Sequence, residues 1–175
     1  MLYHPLLLLD LLDGDTVGSF RVLTLREAAI NVLNEGDLLK KASLTFYYVN
    51  CWENRFISEI TSSAGEKVPL PDQPRRPNSN PTLPKSKSMS RNAIEISIHG
   101  IAHAESYAID LFWDCIARFV HCKMPRQFYD ELVHIAGQEA SHFMSWYERL
   151  ERSDCPYGSL STHDGLWRSA AGTAL

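Results

Sequence analysis

The hydrophobic pattern between residues 91 and 150 predicts two long helices. Apolar side chains recur there at intervals of three and four residues, which is the spacing of one helical face. The second helix follows a turn at Cys122–Pro125, and the proline stands where the first turn of a helix tolerates it. The stripe positions are Ile94, Ile98, Ala102, Ile109, Phe112, Ile116 and Phe119 in the first helix and Phe128, Leu132, Ile135, Trp146 and Leu150 in the second. The pattern therefore predicts an antiparallel helical hairpin.

Titratable side chains interrupt both stripes. Glu105 falls between Ala102 and Ile109, and Glu139 and His142 occupy the middle of the second stripe. At about 1.5 Å per residue, these three lie roughly 28, 22 and 27 Å from the turn. Antiparallel helices about 8–10 Å apart would bring them to the same level. We expect two carboxylates and an imidazole to converge in an otherwise apolar layer.

Such carboxylates need a cation, a basic partner or a proton, because uncompensated burial costs several kcal/mol per ion. The E-x-x-H spacing of Glu139 and His142, with the level Glu105 on the neighbouring helix, is the pattern of di-iron and di-manganese bundles. The three residues are therefore candidate metal ligands. A buried hydrogen-bonded network of the same three side chains is the alternative, and periodicity alone does not separate the two.

A second E-x-x-H lies on the same predicted helix. Glu131 and His134 have the same spacing, and Asp114 is level with His134 across the turn. Asp114, however, follows Glu105 by nine residues, about 900° of rotation, which directs it to the opposite face. We predict surface or edge positions for Glu131, His134 and Asp114.

Composition divides the chain into four segments. Residues 1–21 are apolar but interrupted by aspartates, and they lack the basic start and cleavage site of a signal peptide, so a loosely ordered end is expected. Residues 22–60 predict a pair of helices. Residues 61–90 are rich in proline and predict an extended linker. Residues 91–175 hold the hairpin and the start of a further helix.

Several local signals mark where helices begin. Thr24 and Glu27 have the spacing of a capping box, and Asp37 is a candidate cap for the second helix. The last helix is predicted to be capped by Ser161 or Thr162.

The basic and histidine side chains outside the candidate cluster are predicted to lie in solvent or at the edges of the helical packing. The linker residues Arg75 and Arg76 are interpreted as solvated, although docking to an acidic partner is the alternative. His99 and His103 face away from Glu105 by helical angle, which predicts edge positions for both.

Charge and cysteine usage narrow the function classes. The net charge of −4 and the pI near 5.9 argue against nucleic-acid binding, which normally needs a basic surface. The four cysteines form no C-x-x-C pair, which favours reduced thiols and a cytoplasmic protein. No apolar run approaches the roughly 18 residues of a membrane span.

Several blocks of the sequence resemble the DUF455 family of ferritin-like proteins. They are LTLREAAINVLNEGDLLKKASLTFYYV, VPLPDQPRRP, HGIAHAESYAIDLFWDCIARF, MPRQFYDELVHIAGQEASHF and YGSLSTHDGLW, which run from about Val22 to the C-terminus. The resemblance implies an all-α, ferritin-like helical bundle with a carboxylate-bridged iron or manganese site. It also implies an oxidoreductase or hydroxylase type of activity. The ligands of the first half of that site map onto Glu105, Glu139 and His142.

The sequence departs from the family pattern in one respect. Family members continue with two helices that carry a further Glu and a further E-x-x-H, which this sequence lacks. A truncated chain with an incomplete site is the favoured interpretation. A homodimer that completes the bundle and a half-site that binds no metal are the alternatives, and a non-catalytic helical interaction protein is the alternative function.

Overall fold

The computed structural model describes residues 23–62, 69–77 and 93–172 of the chain. Within these ranges the regular secondary structure is helical and includes no strand, which confirms the all-α prediction. Residues 1–21, predicted to be loosely ordered, lie outside the described part, as does most of the predicted linker. The elements are α1 (Leu25–Asn34), α2 (Leu38–Glu53), α3 (Ala93–Arg118), a 3-10 turn (Val120–Cys122), α4 (Arg126–Glu151) and α5 (Gly165–Ala171).

The first two helices begin where their caps predict. The Thr24 hydroxyl accepts the Glu27 N–H at 3.2 Å, and the Glu27 carboxylate accepts the Thr24 N–H at 3.1 Å, so the capping box is complete. The Asp37 carboxylate accepts the N–H groups of Leu39 and Lys40 at the start of α2. Both predictions are confirmed.

The predicted cap of α5 is wrong. Its N-cap residue is Asp164, which makes no side-chain capping bond, rather than Ser161 or Thr162. The N–H of Gly165 donates instead to His163 Nδ1 at 3.2 Å. The chain between α4 and α5 is held by contacts with α3, described below, and these set where α5 begins.

The α3–α4 hairpin is the framework of the fold. Both helices have 26 residues and pack along each other, while α1 packs on α3 and α2 packs on α4. The core fills the space between the hairpin and these two shorter helices. None of the described helices combines the length and the apolar character that crossing a membrane requires. The hairpin contributes Ile109, Trp113, Ile116, Ala117, Tyr129, Val133, Ala136, Ala140 and Phe143 to the core.

The apolar stripes predicted for α3 and α4 coincide only partly with the faces of these helices that are buried. In α4 the buried positions are Tyr129, Val133, Ala136, Ala140, Phe143 and Leu150, mostly one residue beyond the predicted ones. In α3, Ile109 and Ile116 are buried as expected, but Ile94 is 61% exposed. Because α1 and α2 cover the hairpin from one side, the buried face is rotated by about one residue, or 100°, from the predicted stripe. Ile135 and Trp146 consequently lie half-buried outside the core.

Candidate metal centre

Two carboxylates and an imidazole converge where α3 passes α4. Glu105, Glu139 and His142 each offer one ligand atom, and these atoms lie within 4.8 Å of one another. His142 Nδ1 lies 3.3 Å from Glu139 Oε2 and 3.8 Å from Glu105 Oε2. The antiparallel pairing of α3 and α4 places Glu105 at the same height along the hairpin as Glu139 and His142. The three-residue spacing of the E-x-x-H puts Glu139 and His142 on the same face of α4.

The cluster lies on an open face of the hairpin rather than in a buried layer. The exposed fraction of the side chain is 22% for Glu105, 19% for Glu139 and 55% for His142. The three side chains converge, but the expectation that they are buried is wrong. The physical reason is the placement of α1 and α2, which leave this face of the hairpin uncovered in the described part of the chain.

The surroundings of Glu105 favour the protonated form of its carboxylate. The pKa of Glu105 is raised from 4.5 to about 7, first because partial burial penalises the charged form. A hydrogen bond with Glu139 and the negative charge of Glu139 raise the pKa further, while His142 opposes the shift. Two carboxylates this close favour either a proton or a cation between them.

The second E-x-x-H does not form a comparable cluster. Glu131 and His134 are both exposed, and Asp114 is paired with Arg118 at 2.6 Å on its own helix. These surface and edge positions confirm the prediction. Within the described ranges, Glu105, Glu139 and His142 form the one group of three potential ligands close enough to hold a metal ion.

Comparison with known proteins places the chain in a family. Residues 34–175 match the family described as "Protein of unknown function (DUF455)". The chain belongs to the DUF455 family. A DUF455 match over these residues includes α2 to α5 and all three candidate ligands.

A relative from Haemophilus influenzae, named "Uncharacterized protein", is 30% identical over 97 residues. The alignment covers 53% of this chain and 34% of the relative, so the chain spans about a third of that protein's length. No solved structure matches.

The sequence did not reveal a buried charge cluster on the opposite side of α3. Lys41 of α2 and Asp110 of α3 are fully buried and form a hydrogen-bonded ion pair. Arg76 donates to Asp110 Oδ2 at 2.8 Å and to Ser106 Oγ at 2.7 Å, and its guanidinium lies over the ring of Tyr107. One carboxylate thus holds two cations from two separate segments.

This cluster corrects the interpretation of Arg76 as solvated, whereas the side chain of Arg75 is exposed, as predicted, and only its backbone is bound. The N–H of Arg75 donates to the Leu33 carbonyl at 2.6 Å, and the Arg75 carbonyl accepts from Lys41 Nζ at 3.0 Å. The segment from Pro69 to Pro77 is therefore a strap fixed across α1, α2 and α3. Asp110 within the apolar run YAIDLFW was the available signal, because a charge at a buried helical position needs a partner.

A second group of side chains, which the sequence pattern did not predict, holds the chain after α4 against α3. His99 is buried, its Nε2 accepts the Gly158 N–H at 3.0 Å, and its ring stacks on Tyr157. His103 contacts the Tyr157 hydroxyl at 3.1 Å and the His163 carbonyl at 2.9 Å. The carbonyl requires an Nε2–H donor, so a neutral His103 accepts the Tyr157 hydroxyl at Nδ1. The predicted edge position is wrong for His99, because residues 153–165 pack over that side of α3.

Proposed function

We propose that Glu105, Glu139 and His142 are ligands of an iron or manganese ion in a ferritin-like, carboxylate-bridged centre. The observation that carries the proposal is the convergence of the three ligand atoms within 4.8 Å from two neighbouring helices. Membership of the DUF455 family, whose match includes all three residues, supports the same assignment.

The donor set and its spacing fit such an ion. With metal–ligand bonds of about 2.1 Å, neighbouring ligand atoms lie about 3.0 Å apart in octahedral and about 3.4 Å apart in tetrahedral geometry. The distances from His142 Nδ1 to the two carboxylates, 3.3 and 3.8 Å, are slightly longer than the octahedral separation, so small side-chain rotations would bring all three atoms onto one ion. Carboxylates suit manganese and imidazole suits iron, and a Glu with an E-x-x-H is half of the ligand pattern of a dinuclear bundle site.

The residues of this chain would bind the ion and control access to it. Glu105 and Glu139 would chelate or bridge, and His142 would supply a neutral imidazole nitrogen. An iron or manganese centre with open coordination positions supplies oxidative chemistry with O₂ or peroxide. Because His142 is 55% exposed, the centre is open to solvent and to a substrate from the uncovered face of the hairpin. We propose an oxidoreductase or hydroxylase type of reaction on this basis.

Metal binding by purified protein tests the proposal. The protein is stripped with a chelator, titrated with Mn²⁺ or, anaerobically, with Fe²⁺, and its bound metal is measured by elemental analysis. We expect near-stoichiometric metal in the native chain and its loss in Glu139→Ala, which removes a ligand that bonds directly to the ion.

The chain supplies a matched control for this experiment. Glu131→Ala removes the carboxylate of the other E-x-x-H on the same helix, where no third ligand converges among the residues that the structure describes. Metal content should be unchanged in this variant. Native protein without metal, or equal loss in Glu131→Ala and Glu139→Ala, contradicts the proposal.

A second candidate function is association without catalysis. On α3 the exposed fraction is 61% for Ile94 and 41% for Ile101, which lie two turns apart on one helical face, and exposed apolar side chains that share a face are typical of a contact surface. Protein that associates at every metal concentration and retains no iron or manganese favours this candidate over the first.

A further inference from the structure

A surface cleft lies on the side of α3 that faces away from the candidate metal ligands. Its volume is about 450 Å³, within the range of about 300–1,000 Å³ that is usual for small-molecule sites. Asp114 in the cleft follows Glu105 by nine residues, about 900° of helical rotation, so the cleft and the metal centre lie on opposite sides of α3. The strap, α3 and α5 all contribute to its walls, which include Asp72, Asp114, Cys115, Arg118, Phe119 and Trp167. We name it the α3–α5 cleft.

The charged side chains of the α3–α5 cleft leave an excess of one negative charge. Arg118 donates to both carboxylate oxygens of Asp114, at 2.9 and 2.6 Å, so this pair is neutral in itself. Asp72, on the strap, adds a second carboxylate. The pKa of Arg118 is raised, first by its hydrogen bond with Asp114 and further by the charges of Asp114 and Asp72, while burial opposes the shift. One guanidinium therefore faces two carboxylates, and the cleft suits a ligand with one positive charge.

Aromatic rings form another part of the lining. Trp167 of α5 is buried, and Phe119, directly after α3, is half-buried. The face of an aromatic ring attracts a cation, and that of tryptophan does so most strongly. Carboxylates beside aromatic rings offer both the counter-charge and the apolar surface that an organic cation needs. The other lining residues are the apolar Leu111, Ala170 and Ala171.

We propose that the α3–α5 cleft binds a small organic amine in its ammonium form. The ammonium group would lie near the carboxylate of Asp72, and the apolar body of the amine would contact Phe119 and Trp167. An anion fits less well, because the guanidinium of Arg118 already has Asp114 as its counter-ion. The proposal uses none of the three candidate metal ligands and is therefore independent of the proposed metal function.

Calorimetric titration of the full chain with three ligands of nearly one shape tests the charge preference. The probes are phenethylamine, phenethyl alcohol and phenylacetate, whose similar bodies carry a positive charge, no charge and a negative charge. We expect phenethylamine to bind with a Kd of about 0.1–1 mM, as is typical of so small a ligand. The alcohol and the carboxylate should bind at least about 10-fold more weakly, because they lack the attraction to Asp72 and to the aromatic faces.

The thiol of Cys115 reports whether the ligand lies in the α3–α5 cleft. Cys115 lines the cleft, whereas Cys122 is exposed and is not among the lining residues. Their reactions with N-ethylmaleimide can be followed separately on tryptic peptides, because Arg118 lies between them. Phenethylamine at about 10 times its Kd leaves about one-tenth of the clefts free, so modification of Cys115 should slow about 10-fold. The rate at Cys122 should not change.

Substitutions in the cleft test the two kinds of contact. Asp72→Asn should weaken the binding of phenethylamine about 3- to 10-fold and leave that of the alcohol unchanged. Asp154→Asn makes the same change at an exposed position outside the cleft and should bind as the native chain does. Phe119→Leu keeps an apolar side chain but removes an aromatic face, so the preference for the amine over the alcohol should fall about 3-fold.

Several results would overturn the inference. Equal affinity for the three probes would show that the cleft does not select a cation. Equal losses in Asp72→Asn and Asp154→Asn would show that the amine responds to the net charge of the chain. Equal protection of Cys115 and Cys122, or no binding of phenethylamine below about 10 mM, would contradict the site itself. Selective amine binding by a chain that binds no metal would contradict the proposed function alone.

Discussion

Replacing Asp110 with asparagine is expected to leave a buried cation without its counter-charge. The side chains of Lys41 and Asp110 are both fully buried, whereas that of Arg76 is 17% exposed. Arg76 can turn toward solvent when the carboxylate is removed, but Lys41 is enclosed between α2, α3 and the strap. Lys41 would keep the Arg75 carbonyl as an acceptor, at 3.0 Å, without a compensating negative charge.

The loss of folding free energy can be bounded in two ways, with Lys41 either charged or neutral in the variant, and the two values agree. Removing one partner of a buried ion pair costs about 3–5 kcal/mol. The variant can instead release the Lys41 proton, which costs about 1.4 kcal/mol per pH unit below the ordinary lysine pKa, or about 4.6 kcal/mol at pH 7. We therefore expect Asp110→Asn to lower the free energy of unfolding by about 3–5 kcal/mol, out of the about 5–15 kcal/mol of a typical domain.

The expected cost depends on pH in a defined direction. Burial lowers the pKa of Lys41, and the charge of Asp110 opposes that shift. Without Asp110 the folded variant loses the proton that the unfolded variant still carries. The unfolded state then binds more protons, so the stability of the variant rises with pH. The cost should shrink to about 2 kcal/mol at pH 9.

Urea unfolding followed by circular dichroism at pH 7 and pH 9 measures both quantities. Asp114→Asn is the matched control, because Asp114 lies four residues further along α3 and pairs with Arg118 at the surface. It should cost about 0.5 kcal/mol or less. An Asp110→Asn cost below about 1 kcal/mol, or a cost equal to that of Asp114→Asn, would refute the reasoning that Lys41 depends on this carboxylate.

Three further substitutions test the packing of the fold. Thr24→Ala removes the capping box of α1 and should cost about 1 kcal/mol in urea unfolding, whereas an unchanged midpoint would show that the cap contributes nothing. Phe143→Ala empties a fully buried position in the hairpin core and should cost about 3–5 kcal/mol; a loss below 1 kcal/mol would contradict its burial. Tyr157→Phe removes the hydroxyl that donates to His103 and should cost about 1 kcal/mol, with no change expected if that bond is absent.

The helices and the candidate ligands were predictable because both follow from local spacing. The caps at Thr24 and Asp37 are decided by side chains within three residues of the backbone that they bind. The common level of Glu105 with Glu139 and His142 follows from the rise per residue and from one tight turn. Family membership, shown by the match over residues 34–175, agrees with the resemblance found in the sequence.

The burial of individual residues was less predictable, because it depends on which side of the hairpin is covered. Ile94 and Ile109 share a predicted stripe, yet the first is 61% exposed and the second is 1% exposed. Periodicity gives the direction of a side chain around its own helix but not the neighbour that lies there. The same limit explains why His99 was assigned to an edge.

By itself, the sequence determined the all-α hairpin, its turn and the set of side chains able to hold a metal ion, because these properties depend on spacing along one chain. Only the tertiary structure decided that α1 and α2 cover one face and leave the ligand-bearing face open. It also decided that Arg76 reaches Asp110 from a segment 34 residues earlier in the chain. Contacts between distant segments depend on how whole helices pack, and no local pattern contains that information.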